Sequence, residues 1–224
     1  MKASLEWMSI AYQADFDVPL FDLAVRAPEF QRRMYQAIRS SYPYALNLTD
    51  MHFSTSGAQA ETGLRIKMFR GNVSLDLTPE RLMVNFSNIN WQQDFEACKT
   101  SIDLVWRSLF QTWTDIAFLA DSINISLALR ADSIARHLEI VSANEFHVDL
   151  AQVGATERNP VVVIDLGNSE EGWRATINVT AQTQDDLFMF CQTRYSIFNA
   201  PLAERVSRQI RLVDLILDGI EVEL

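Results

Sequence analysis

Between residues 64 and 86 the chain runs through three successive stretches of alternating apolar and polar side chains, and this pattern restricts the fold more than any other. Leu64, Ile66 and Met68 alternate with Arg65, Lys67 and Phe69; Val73, Leu75 and Leu77 alternate with Ser74, Asp76 and Thr78; Leu82, Val84 and Phe86 complete the set. A period of two puts every apolar member on one side of a strand. Arg70-Gly71-Asn72 and Thr78-Pro79-Glu80-Arg81 supply the turns, the second with Pro at its favoured second position. The reading is a three-stranded antiparallel meander with one apolar face that has to be covered.

A cover follows at once. Over residues 90–115, Trp91, Phe95, Cys98, Ile102, Val105, Trp106, Leu109, Phe110 and Trp113 recur at steps of three or four, the stripe of one buried helix face. Asn90 is placed to cap the first turn, with Gln93 three residues on for a capping box. Upstream, residues 5–14 read as a first strand. Pro28 is expected to open a helix whose face carries Phe30, Met34, Ala37, Ile38 and Ser41. Residues 47–63 read as a loop around the short Met51-His52-Phe53.

Downstream, Ile123, Ile125, Leu127 and Leu129 form another alternating run, followed by a short helix near residues 132–140 and strands near 145–150, 161–166, 173–182 and 187–197. Asn199 and Pro201 start a last helix with Leu202, Val206, Ile210, Val213, Leu217 and Ile220 on one stripe. The expected fold is therefore α+β, an antiparallel sheet covered by long helices in two halves of similar order: strand, helix, three strands, long helix. The chain is read as a single compact unit over residues 1–224, with pseudo-repeated halves at about 1–118 and 119–224. The likeness of the halves is one of pattern, since few residues are identical.

The segment RLMVNFSNINWQQDFEACKTSIDLVWRSLF, followed by INISLALR, resembles the signature of a sporadically distributed family of uncharacterised bacterial proteins. In that signature a Trp near a helix start, an aromatic one turn later, a second Trp and a strand ending in Arg correspond to Trp91, Phe95, Trp106 and Arg130. After Arg130 the chain departs from it, with Ala131-Asp132-Ser133 in place of an aromatic and Asn. The resemblance implies a shape and brings no activity with it.

Charge narrows the partners. With 19 basic and 29 acidic residues the formal net charge is -10, which repels nucleic acid and anionic membrane at long range. The start, Met1 to Trp7, lacks the apolar core of a signal peptide, so a cytoplasmic location is expected. Cys98 and Cys191 read as small buried hydrophobes rather than a disulfide. No nucleophile elbow, H-E-x-x-H or phosphate-binding glycine loop is present, and no cofactor is expected.

Two candidate sites remain. Glu145, His147 and Asp149 alternate on one strand face, where three such groups can ligate a divalent cation. The ordinary account of the same residues is a solvated face opposite Phe146, Val148 and Leu150. On the last helix, Leu212, Val213, Leu215, Ile216 and Leu217 spread apolar surface beyond one stripe, so Leu212, Leu215 and Ile216 are assigned to an interface with a second subunit or another protein. The leading expectation is a non-enzymatic protein that acts through protein–protein contacts and forms a homodimer. The alternative is a carrier of a small apolar ligand or lipid in a cavity between helix and sheet. A metal-dependent enzyme using Glu145, His147 and Asp149 is third.

Overall fold

The alternating runs become strands because each buries one row of branched or aromatic side chains and leaves the other row towards water. A computed structural model describes residues 1–54, 62–90, 94–142, 161–196 and 202–224. Its strands are β1 (Ser4–Phe16), β2 (Met51–Ser54), β3 (Gly63–Met68), β4 (Val73–Leu77), β5 (Arg81–Ser87), β6 (Phe118–Arg130), β7 (Val161–Asn168), β8 (Trp173–Ala181) and β9 (Asp186–Tyr195). The α-helices are α1 (Leu23–Ser41), α2 (Phe95–Thr112), α3 (Ile134–Ser142) and α4 (Leu202–Gly219).

All nine described strands join one open antiparallel sheet in the order β2-β3-β4-β5-β1-β6-β9-β8-β7. At its middle, β1 and β6 pair from Ser4 opposite Arg130 to Phe16 opposite Phe118, with register shifts near each end of β1. The two ends of the chain meet at one corner: the Met1 ammonium donates to Glu221 O at 2.7 Å, and Lys2 forms a β-bridge with Glu223.

The expectation of an antiparallel sheet covered by long helices, drawn in two halves of similar order, is corrected: the helices do not cover the sheet. Strands take 41% of the structure and helices 35%, so the sheet dominates. Nine strands span about 38 Å at the usual strand spacing. Helices of 18 residues, as α2 and α4 are, extend only about 27 Å. Periodicity shows that a strand has one apolar side but not which strand lies beside it. The strand expected at residues 145–150 falls outside the described residues.

Smaller boundaries differ for local reasons. Helix α1 starts at Leu23 and contains Pro28, since Leu23 and Ala27 extend the buried face of Phe30, Met34 and Ile38. Helix α2 starts at Phe95 rather than beside Asn90, and the Asp94 carboxylate accepts the Asn90 N–H at 2.9 Å. Asn90 is thus the residue being capped.

One core lies between the sheet and the helices. Ile10, Tyr12, Ile66, Val84, Ile125, Ile177 and Met189 from the strands join Phe30, Met34, Val105, Leu109, Leu138, Val206 and Val213 from the four helices. Each fully buried side chain of this size contributes roughly 1.5–3 kcal/mol. Both cysteines are buried and unbridged within it. Burial pushes the Cys98 thiol up to about 12, with Asp94 adding to the effect. Burial also pushes the Cys191 thiol up to about 12, against a hydrogen bond from Gln209. Neither thiol is therefore expected to react with iodoacetamide at pH 8 in the folded protein, while both react in denaturant. Mass spectrometry reads this directly, and carbamidomethylation of either residue without denaturant would refute it.

Candidate functional site

Glu145, His147 and Asp149, the expected metal ligands, lie outside the described residues. Among the described residues no group of three His, Cys, Asp or Glu side chains is placed to hold a metal ion. His137, on α3, is engaged with Ile220 O at 2.7 Å, and His52 lies on β2 opposite Arg65. The three interface residues divide. Leu212 and Ile216 pack partly against the core, and Leu215 alone is well exposed, at 56%. No described helix is long and apolar enough to cross a membrane.

Where α4 crosses the middle of the sheet, polar groups are sealed into the core. Asp121 on β6 and Arg205 on α4 form an ion pair with side chains 0% and 5% exposed. Tyr12 on β1 donates to the same Asp121 oxygen at 2.9 Å. The Arg205 guanidinium lies 5.2 Å from the centre of the Tyr195 ring. One turn along α4, Gln209 accepts from the Thr193 hydroxyl and donates to Cys191 O at 3.0 Å. Burial pushes the Asp121 carboxyl above its ordinary range, opposed by Arg205 and Tyr12. Burial, reinforced by the Asp121 charge, holds the Tyr12 hydroxyl well above its own. Tyr12 and Arg205 converge on one Asp121 oxygen out of reach of solvent, which suits them to fixing α4 on the sheet, while Asp121 Oδ1 is buried without a hydrogen-bond partner among the described residues.

The opposite face of the sheet is different. All four described helices contribute to the one core, so no described helix lies on this side. The ladders align its side chains in rows that cross the strands. One row runs Lys67, Ser74, Asn85, Ala11, Asn124, Gln192, Thr176 and Asp165. The next runs Arg65, Asp76, Met83, Gln13, Ser122, Arg194, Arg174 and Gly167. On the other side of the first row lie Ser87, Ser9, Ser126, Phe190, Asn178 and Val163, and beyond them Trp7, Ala128, Phe188, Thr180 and Val161. Small hydroxyl and amide side chains thus occupy the middle of the face, with three aromatic rings to one side and arginines to the other. Among the described residues, Asn124 Oδ1, near the centre, is buried without a protein donor. Such a surface presents hydrogen-bonding groups, among them the Thr176 hydroxyl that donates to Asp165 at 2.7 Å.

Its charge also differs from that of the whole chain. At its ladder positions six cations, Arg65, Lys67, Arg81, Arg130, Arg174 and Arg194, stand with four anions, Asp15, Asp76, Asp165 and Asp186. Six against four is a net of +2 on a chain of -10. Three of the cations are paired, Arg65 with Asp76 at 2.5 Å, Arg81 with Asp15 at 2.8 Å and Arg130 with Asp186 at 2.8 Å. Arg174 and Arg194 face each other across the β8–β9 ladder. They line a shallow recess of about 630 Å³ together with Asp165, Gly167, Trp173 and Ser196.

A separate cavity of about 170 Å³ lies where β4 and β5 meet the start of α2, between Phe69, Val73, Phe86, Ile89 and Cys98. Its volume is that of a small solvent molecule's site and falls short of what a lipid tail fills.

No family model matches the chain, and no curated protein does. Among solved structures, a TBP from Methanococcus jannaschii aligns over 99% of both chains at 12% identity and a TM-score of 0.33. An unknown protein from Galdieria sulphuraria aligns over 96% of this chain and 95% of its own at 7% identity and a TM-score of 0.16. Both likenesses are too loose to assign a fold or a role.

The alternation visible in the sequence contains this face as the polar half of every strand. What it does not reveal is that the polar halves from both parts of the chain form a single surface. That depends on the pairing of β1 with β6, two strands whose paired residues are all more than a hundred positions apart.

Proposed function

We propose that the protein is a non-enzymatic binding protein that receives a partner protein on the sheet face that the described helices leave open. The observation that supports this most is the continuous surface of hydroxyl, amide and aromatic side chains beside cations that have no ion-pair partner among the described residues. Charge complementarity favours an acidic partner surface, even though the chain as a whole is acidic, because contact is governed by local charge within about 10 Å. The carrier reading has less to support it, with a cavity of about 170 Å³. Self-association through α4 rests on Leu215, the one well exposed member of its group of three.

The test compares cross-linked complexes of the wild type with those of Ala11→Arg and Ser126→Arg, which place bulk at the centre of the face, and of Leu215→Asp. An acidic protein partner that is lost from both face variants and kept by Leu215→Asp is the expected result. A partner kept by both face variants overturns the reading. Binding of labelled single- or double-stranded oligonucleotides that both face variants abolish would replace it with nucleic-acid recognition. Light scattering on the same proteins reports the dimer, which Leu215→Asp is expected to dissociate.

A further inference from the structure

Cross-strand neighbours on a sheet face have Cβ atoms about 5 Å apart, and like charges directly opposite each other are unfavourable. Arg174 and Arg194 occupy such a position, and both are exposed. Among the described residues neither has an ion-pair partner, although the Asp165 carboxylate lines the same recess, and each nearby carboxylate has a partner of its own. Asp165 accepts from the Thr176 hydroxyl at 2.7 Å, Glu171 from Arg208 at 2.5 Å and from the Trp173 indole at 3.1 Å, and Asp121 is sealed in the core with Arg205. On the far side of Arg174, β7 contributes Gly167 to the same row. A methyl there would crowd the Trp173 carbonyl oxygen at 3.3 Å and only touch the Arg174 side chain, at 3.9 Å. On the far side of Arg194, the row continues with the small hydroxyl of Ser122.

We infer that Arg174 and Arg194 form a binding site for a phosphate monoester. Two adjacent guanidinium groups offer two forked pairs of N–H donors and two positive charges. A carboxylate, with one charge and two oxygens, satisfies one fork. A phosphate monoester carries a charge of about -1.5 to -2 with three acceptor oxygens and satisfies both. Its arrival also replaces the repulsion between the arginines with attraction. This site lies on the face assigned to a partner and rests on that assignment only for the source of the phosphate, a phosphorylated side chain of the partner or a free phosphorylated compound.

Isothermal titration with inorganic phosphate, with acetate, and with a pentapeptide whose only ionisable side chain is phosphoserine tests the site without any partner. Phosphate is expected to bind at least about tenfold more tightly than acetate, and Arg174→Gln or Arg194→Gln to weaken it about tenfold each. Arg65→Gln, already paired with Asp76, serves as the control and is expected to leave binding unchanged. A phosphopeptide bound more tightly than free phosphate, with the unphosphorylated peptide silent, assigns the source to a protein. Equal affinity assigns it to a free compound. No phosphate binding at millimolar concentration, or binding that both arginine variants retain, overturns the site and leaves the assignment of the face to its own test.

Discussion

Replacing Asp121 by alanine is expected to lower the unfolding free energy by about 3 to 5 kcal/mol, because it removes the carboxylate that faces a buried guanidinium. Arg205 is 4% exposed overall and cannot reach water when that carboxylate is gone. The Tyr12 hydroxyl, which donates to the same group, loses its acceptor as well. The ion pair is nonetheless a poor source of net stability. Burial raises the cost of ionising Asp121, and the attraction of Arg205 offsets that cost instead of adding to a surplus. The double replacement Asp121→Leu with Arg205→Met should therefore be far milder than Asp121→Ala. Urea titrations of the three proteins measure the difference. A loss under about 1 kcal/mol for Asp121→Ala, well below the cost of breaking a buried pair, would mean that Arg205 finds water or another anion, and the sealed network would not exist.

Trp106→Ala is the second large effect, expected at about 3 kcal/mol through loss of contact and cavity formation. The indole packs 4.5 Å from Phe118, 5.0 Å from Phe110 and 5.8 Å from Tyr12, ring centre to ring centre. It is only partly buried, which sets the figure at the low end of the range for a large aromatic. Because Tyr12 also serves Asp121, the two replacements share a neighbour. Their combined cost should differ measurably from the sum of the separate ones. Strict additivity in a double-mutant cycle would show that the aromatic cluster and the ion pair do not communicate through Tyr12.

The strands of the meander are legible in the sequence because Leu64, Ile66, Val84 and their neighbours are apolar at every second position, and local periodicity is all that a single strand requires. The stripe of Ile102, Val105 and Leu109 is legible for the same reason. Asp121 and Arg205 are not. Each is an ordinary charged residue in sequence, and only the crossing of α4 over β6 makes them a buried pair. The open face is legible residue by residue and hidden as a surface, since Asn85, Ala11, Asn124 and Gln192 come from four strands spread along most of the chain. Helix starts fail for a different reason. Asn90 and Pro28 are good terminal residues by type, yet burial of Leu23 and Ala27 outweighs the signal at Pro28.

The central position of β1 has a consequence for synthesis. During synthesis β1 finds its neighbours only when β5, at Arg81–Ser87, and β6, at Phe118–Arg130, have followed it. Until then its apolar row of Met8, Ile10 and Tyr12 has no sheet to join. Folding must close loops of these lengths before the middle of the molecule exists, which slows it and leaves the nascent chain a client for chaperones.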